Sequence, residues 1–301
     1  MSAQLHDTPS RLATVPPQIG KRPRARAWRH VGFLTGASLL LLMLLVATFA
    51  SILSPYDPFA QDLAHRMVPP VWHGAGSWEH PLGTDPLGRD YLSRLLYGAR
   101  ISLLIGATVA LISGIIGTTL GLLAGYFGGR VDFFVSFIVM VRLALPVILV
   151  ALAAVAMLGG SLLVVIVVLG FLRWDRFAVV MRATTQQIVS LDYVVAAKAS
   201  GASSLRILWG EVLPNVTNNL MVVATVEASA AILLEAALSF LGLGVQPPLP
   251  SWGLMISEAK PYLFFSPWLI TLPGLLIVAL VLAINLLGDG LRDITAPEGR
   301  N

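Results

Sequence analysis

Ile101-Ser-Leu-Leu-Ile-Gly-Ala-Thr-Val-Ala-Leu-Ile-Ser-Gly-Ile-Ile-Gly-Thr-Thr-Leu-Gly-Leu-Leu-Ala-Gly-Tyr-Phe127 contains no charged residue. A bilayer core is crossed by about 20 apolar residues in helical form. Inside the membrane no water satisfies backbone groups, so such a run predicts a spanning helix. Gly128-Gly129-Arg130 joins it to a second run, Phe133 to Leu158. Four more runs qualify: Val31 to Leu53, Ser161 to about Val180, Leu220 to Leu243 and Pro267 to Leu287. The fold class read from this pattern is all-α, a polytopic membrane protein with six transmembrane helices. Composition agrees, since 56% apolar and 12% charged residues exclude a soluble globular domain. The Val31–Leu53 run is too long, and its preceding flank too extended, for a cleaved signal peptide, which predicts a retained anchor. The chain has no cysteine, so thiol chemistry assigns no compartment.

Basic residues set the expected orientation. With the N-terminus cytoplasmic, the inner side receives Arg11, Lys21, Arg22, Arg24, Arg26, Arg29, Arg130, Arg173, Arg176, Arg182, Lys198, Arg206, Arg292 and Arg300. The outer side receives Arg66, Arg89, Arg94, Arg100 and Lys260, while Arg142 falls within a span. Both termini are therefore expected inside. The expected organisation is a basic cytoplasmic tail over 1–30, an anchor over 31–53, an outer loop over 54–98, a membrane core over 99–290 and a C-terminal cytoplasmic tail over 291–301. Directly before a span, the basic tail reads as a topology and lipid-headgroup signal, with no nucleic-acid partner.

The core's inner loop, 190–215, includes Asp192-Tyr-Val-Val-Ala-Ala-Lys-Ala-Ser-Gly-Ala-Ser-Ser-Leu-Arg-Ile-Leu-Trp-Gly-Glu-Val-Leu-Pro-Asn215. Leu191 to Ala199 predicts a short helix ended by a left-handed cap at Gly201. Ser203 or Ser204 caps a second helix running to Val212, which Pro214 is expected to stop. On spacing alone this is either a compact knob that fits a partner's groove or an ordinary amphipathic loop.

Absences narrow the function. The three lysines, Lys21, Lys198 and Lys260, close no phosphate-binding loop of the Gly-x-x-x-x-Gly-Lys-Ser/Thr kind. The histidines (His6, His30, His65, His73 and His80) all lie outside the proposed spans, which removes the usual general bases and zinc ligands from the interior. No Ser-His or paired-carboxylate constellation suits a hydrolase. No inverted repeat or matched pair of broken helices marks a secondary transporter. No cofactor or metal is expected on this chain, and it reads as a non-enzyme.

Several longer segments carry a resemblance. His80-Pro-Leu-Gly-Thr-Asp-Pro-Leu-Gly-Arg-Asp-Tyr-Leu-Ser-Arg-Leu-Leu-Tyr-Gly-Ala-Arg100 resembles the segment preceding the second span in permeases of the dipeptide, oligopeptide and nickel ABC-importer family. Gly121 to Gly129, Glu235 to Pro248, Pro250-Ser-Trp-Gly253 and Asn285 to Asp293 are similar to that family in the same order, across roughly Pro55 to Pro297. The match is to the second, C-type permease subunit. The resemblance implies a type I ABC importer transmembrane domain in the cytoplasmic membrane. It implies a sister permease, two cytoplasmic ATPases that bind ATP and magnesium, and an external substrate-binding protein. It also implies that Ala196, Ala197, Gly201, Leu213 and Pro214 dock the ATPase. Where the family typically has Glu before the Ala-Ala pair, this chain has Val195; surface ion pairs contribute about 0–1 kcal/mol, so a mainly steric contact tolerates the change. Peptides are the expected cargo, with nickel chelates, glutathione and opines as alternatives. An ATP-independent carrier or channel, or a structural membrane protein, leaves the inner loop unexplained.

Charges within spans are costly, about 2.5 kcal/mol or more each without a partner. Glu227 and Glu235 lie roughly two turns apart on one face; either they line the translocation path or they hydrogen-bond neighbouring helices. Arg142 either neutralises Glu227 or another acid, or snorkels to the cytoplasmic boundary. The outer segments over 54–98 and 244–266, with Trp72, Trp78, Tyr91, Tyr97, Trp252 and Tyr262, either form interfacial belts or dock the binding protein; the family implies docking.

Overall fold

The computed structural model describes residues 31–295. The basic tail over 1–30 and the last six residues, with Arg300, lie outside the described residues. Twelve α-helices are described: α1 Val31–Thr48, α2 Ala50–Leu53, α3 Tyr91–Phe127, α4 Gly129–Ala144, α5 Val147–Leu158, α6 Leu162–Leu172, α7 Asp175–Val189, α8 Asp192–Ala199, α9 Ser204–Ile207, α10 Leu213–Phe240, α11 Trp252–Ala259 and α12 Trp268–Thr295. Among the described residues, β-type pairing is confined to one bridge, Thr84 with Asp90.

Among the described residues, four stretches are long and apolar enough to cross a membrane: Val31–Thr48, Tyr91–Phe127, Ser204–Phe240 and Trp268–Ile294. The expected span over Phe133 to Leu158 is instead a bent pair, α4 and α5, meeting at 84°. Pro146 supplies no amide donor, and the residue before it, Leu145, sits in extended backbone (φ −94°, ψ 127°). The expected Ser161–Val180 span is likewise divided into α6 and α7 by Arg173-Trp174. α7 is strongly amphipathic: Phe177, Ala178, Met181 and Ile188 are buried, while Arg176, Arg182 and the Thr184-Thr-Gln-Gln187 run supply most of its polar residues.

α3 is the central post. Its Asp90 N-cap accepts from the Ser93 amide at 2.8 Å, which starts the helix ten residues before the apolar run begins. Gly117, Gly121 and Gly125 recur every fourth residue and place the backbone of α7 directly on α3. A Cβ built on Gly121 would lie 2.7 Å from the Ala178 carbonyl, and one on Gly125 2.7 Å from that of Arg182. Small residues at this spacing are how membrane helices approach closely. α10 packs between α3 and α12, α1 covers α12 and α3, and α11 lies across α12 and α10. The outer half of the core gathers Tyr91, Leu95, Ile232, Trp252, Met255 and Leu280. A separate inner core of Met181, Ile188, Val194, Ile207, Val212 and Val216 supports the 190–215 loop.

Candidate functional site

The inner loop is two short helices around a glycine stop. Val194 is fully buried and anchors α8 in the inner core. α8 ends in a Schellman motif: the Ala202 amide donates to the Ala197 carbonyl (3.1 Å) and the Gly201 amide to that of Lys198 (3.0 Å). Gly201 takes φ +81°, where a side chain is strained. Ala197 and Ala202, the apolar pair that accompanies such a stop, both rest on the inner core. Ser203 caps α9 by accepting from the Arg206 amide at 3.4 Å. A cleft of about 270 Å³ between α8 and α9 is lined by Ala197, Ser200, Gly201, Arg206 and Glu211. Ala196, Gly201 and Pro214 are exposed, Leu213 is half-buried, and Val195, Leu205 and Trp209 present apolar surface.

The expected stop at Pro214 is not observed. A π turn over Leu208–Val212 carries α9 straight into α10. That wider turn leaves room for the proline ring, and Asn215 Nδ2 donates to the Glu211 carbonyl at 2.6 Å. The second half of the knob, α9, is therefore one end of a helix long enough to span a membrane. The knob's remaining ties are Asn215 Nδ2 to the Tyr193 hydroxyl (3.2 Å) and the Lys198 ammonium 4.8 Å from the Tyr126 ring centre at the end of α3. Gly201 has nothing within 4 Å of a built Cβ. Its glycine is thus required by φ, and any added side chain projects from an open face.

The charged residues of the span regions pair differently from the expected scheme. Arg142 does not neutralise Glu227. Its guanidinium donates to the Leu172 carbonyl at the end of α6, and to the Leu145 carbonyl at 3.4 Å. One side chain so ties the α4–α5 break to the α6–α7 break. Glu227, 1% exposed, is paired instead by Arg173 (2.5 Å) and more loosely by Arg176 (3.5 Å). These partners were visible in sequence only as unexplained charges; an otherwise apolar stretch holding Arg173, Asp175 and Arg176 requires acids nearby. Glu235 accepts from the hydroxyls of Ser239 (2.7 Å) and Ser251 (2.9 Å), and Ser251 also caps α11. Both bonds fall on Oε1 and hold Glu235 between α10 and α11. Two neighbouring cavities flank α7. One, about 340 Å³, is lined by Leu143, Asp175, Arg176, Val179 and Glu227; the other, about 310 Å³, by Leu143, Val139, Val179 and Arg182. A larger groove of about 680 Å³, between α3 and α9–α10, carries no charged lining group.

On the outer side, the charges of the His80–Arg100 segment face each other. Asp85 accepts from Arg89 Nε (2.6 Å) and from Arg94 (2.5 Å), and both arginines reach Glu258 of α11, at 3.2 and 2.8 Å. Tyr91 donates to the Leu269 carbonyl (2.5 Å) and Trp252 Nε1 to that of Leu95 (2.9 Å). Tyr91 and Trp252 are both buried, so neither forms an interfacial belt. The exposed aromatics of the outer segments include Trp72, Trp78, Phe264 and Phe265.

Comparison with known proteins places this architecture. Residues 117–300 match the family model of the binding-protein-dependent transport system inner membrane component, and residues 23–70 match the N-terminal TM domain of oligopeptide transport permease C. The chain is 42% identical over 301 residues to the di/tripeptide transport system permease protein DppC of Pseudomonas aeruginosa (strain UCBPP-PA14), covering 99% of this chain and 98% of that protein. It is 43% identical over 270 residues to the dipeptide transport system permease protein DppC of Escherichia coli (strain K12), covering 90% of each. An inward-facing structure of the MetNI methionine ABC transporter superposes with a TM-score of 0.54 at 19% identity, over 67% of this chain and 97% of that one. That likeness concerns the fold, which is that of a type I ABC importer transmembrane domain. The chain belongs to the family of binding-protein-dependent transport system inner membrane components.

Proposed function

We propose that this chain is the C-type permease subunit of an ABC importer that carries di- or tripeptides across the cytoplasmic membrane. The observation that carries the reading is identity of 42% over essentially the whole chain to a di/tripeptide permease subunit. The exposed, rigidly capped loop with Ala196, Ala197, Gly201, Leu213 and Pro214 supports docking to a cytoplasmic ATPase. The proposed assembly comprises a sister permease, two ATPases that bind ATP and magnesium, and an external binding protein. This chain contributes no cofactor site and no catalysis; it is the conduit. ATP binding and hydrolysis elsewhere shift the permease pair between outward-facing and inward-facing states, and the knob transmits that shift into α10, with which its second helix, α9, is continuous. The distribution of arginine and lysine supports a cytoplasmic location for both termini.

The test is a mild-detergent pull-down of the tagged chain, followed by reconstitution with what it retains. Recovery of a second permease and ATPase subunits, with ATP-dependent dipeptide uptake into proteoliposomes when binding protein is added, is the expected result. A lone homo-oligomer that moves solute without ATP would overturn it.

A further inference from the structure

The cavity between α4, α7 and α10 combines a buried acid with an exposed arginine. Glu227 lies in its wall, 1% exposed, and neither carboxylate oxygen receives a directed hydrogen bond. Arg173 holds that acid at 2.5 Å and is itself 13% exposed. Arg176 stands off at 3.5 Å with 61% of its side chain exposed. Asp175 balances the group's charge, but it is the first residue of α7, where the helix dipole stabilises it. One acid thus neutralises Arg173 closely, and Arg176 is left facing the cavity. Besides the two acids Asp175 and Glu227, the lining is apolar (Leu143, Val179, Val222 and Val226), and an exposed guanidinium in such a cavity favours a planar anion, which it binds with two parallel N–H donors.

The second cavity continues this one. Both share Leu143 and Val179 as walls, and Arg182 lies on the far side. Arg176, Val179 and Arg182 are spaced three residues apart on α7, so they fall along one side of it, with the arginines about 9 Å apart along the axis. Arg182 is already paired with Asp132, whereas Arg176 keeps only its loose contact with Glu227 among the described residues.

We propose that Arg176 is a specificity residue of the translocation path, binding the terminal carboxylate of the transported peptide in the cavity beside Glu227. Glu227 and Arg173 position it: their pair keeps the arginine extended while leaving its outer face open. This rests on the peptide-importer reading above and gives that reading a residue.

The chain's lack of cysteine makes the test direct. Arg176→Cys is assembled with its partner subunits in proteoliposomes and assayed with a radiolabelled alanyl-alanine at saturating binding protein. Turnover falls about tenfold while KM, set by capture on the binding protein, is unchanged. A positively charged thiosulfonate reagent restores turnover and a negatively charged one does not. Saturating dipeptide also slows labelling of the introduced thiol, with the cysteine-free parent as the blank. Arg176→Lys keeps the charge but loses the paired donors, and recovers only part of the activity. Full turnover in Arg176→Cys, equal restoration by both reagents, or labelling indifferent to peptide would each overturn the assignment. If the unmodified complex takes up no dipeptide, the cargo reading fails first, and the two failures are told apart.

Discussion

The outer segment His80–Arg100 and the inner segment Asp192–Pro214 are both dense in family-like motifs, yet they use them in opposite ways. Outside, the charges turn inward: Asp85, Arg89 and Arg94 are almost fully buried and answer each other and Glu258. Inside, the small residues turn outward: Ala196 and Gly201 lie on the surface, while the apolar Val194 and Val212 point into the core. A buried ion network fixes one arrangement, because each of its members is costly to leave alone. The knob instead pairs an open, capped face with a helix, α9, that continues into α10. Motif density therefore marks buried ion pairs at one end of the molecule and exposed small residues at the other, and burial tells them apart.

The largest expected effect lies in the scaffold. Asp85→Ala leaves two buried guanidiniums sharing only Glu258, and should cost about 3–5 kcal/mol. Thermal unfolding of the detergent-solubilised assembly should show it as a large drop in midpoint and poor recovery of monodisperse protein. An Asp85→Ala protein as stable as the parent, but unable to respond to binding protein, would turn the outer segment from scaffold into contact surface.

Between the two regions runs α3, capped by Asp90 outside and meeting Lys198 through Tyr126 inside. Gly121→Ala places a methyl against the α7 backbone and should cost about 1–3 kcal/mol by overpacking. The same denaturation assay reads that loss. Because α7 also carries Arg176 and Arg182, uptake should fall more than stability does; equal falls would mean that α7 is support alone.

The knob gives a smaller change in stability with a large change in function. Gly201→Leu forces a side chain into left-handed backbone at about 1–2 kcal/mol, so the protein should insert and assemble. Ligand-stimulated ATPase activity of the complex should nevertheless be lost. Gly201→Asn sharpens the reading, since asparagine tolerates that backbone. Coupling retained with Asn points to the Schellman stop as the requirement; coupling lost points to the smoothness of the open face. Unchanged coupling in Gly201→Leu would remove the docking assignment.

What the sequence made legible follows the range of the interactions concerned. The apolar runs and the capping serine Ser203 act within a few residues, and so does the stop at Gly201. The α4–α5 break at Leu145-Pro146 is local too, but apolar runs on both sides conceal it. Continuity through Pro214 depends on a π turn whose Leu208 and Val212 pack on the inner core, a contact distant in sequence. Glu227 lies 54 residues from Arg173 in sequence, and only the α7–α10 contact shows which acid serves which arginine. Arg142 was the plausible partner by composition; a carbonyl freed at the α6 end takes it instead.

The smallest expected effect marks where the outer scaffold ends. His65 Nδ1 and Asp62 Oδ2 lie 2.7 Å apart, and both side chains are exposed. Their hydrogen bond raises the pKa of His65 and lowers that of Asp62. The histidine's contribution is fully present below its unfolded-state pKa and fades as pH rises through the raised folded value. The carboxylate's contribution is present above its ordinary range and is lost as pH falls through the lowered value. The pair therefore operates in the window between those two folded values. Hydrogen exchange at the 62–66 amides should be slower in the parent than in His65→Gln at about pH 6, with the difference fading as pH rises through the raised histidine pKa. The melting midpoint should not move, because an exposed pair is screened by solvent. Only the His65 backbone enters the scaffold, through its carbonyl, which accepts from Thr84 Oγ1 at 2.5 Å. A shift of the whole melting curve in His65→Gln would extend the rigid scaffold to the imidazole itself and redraw its boundary with the solvent-facing surface.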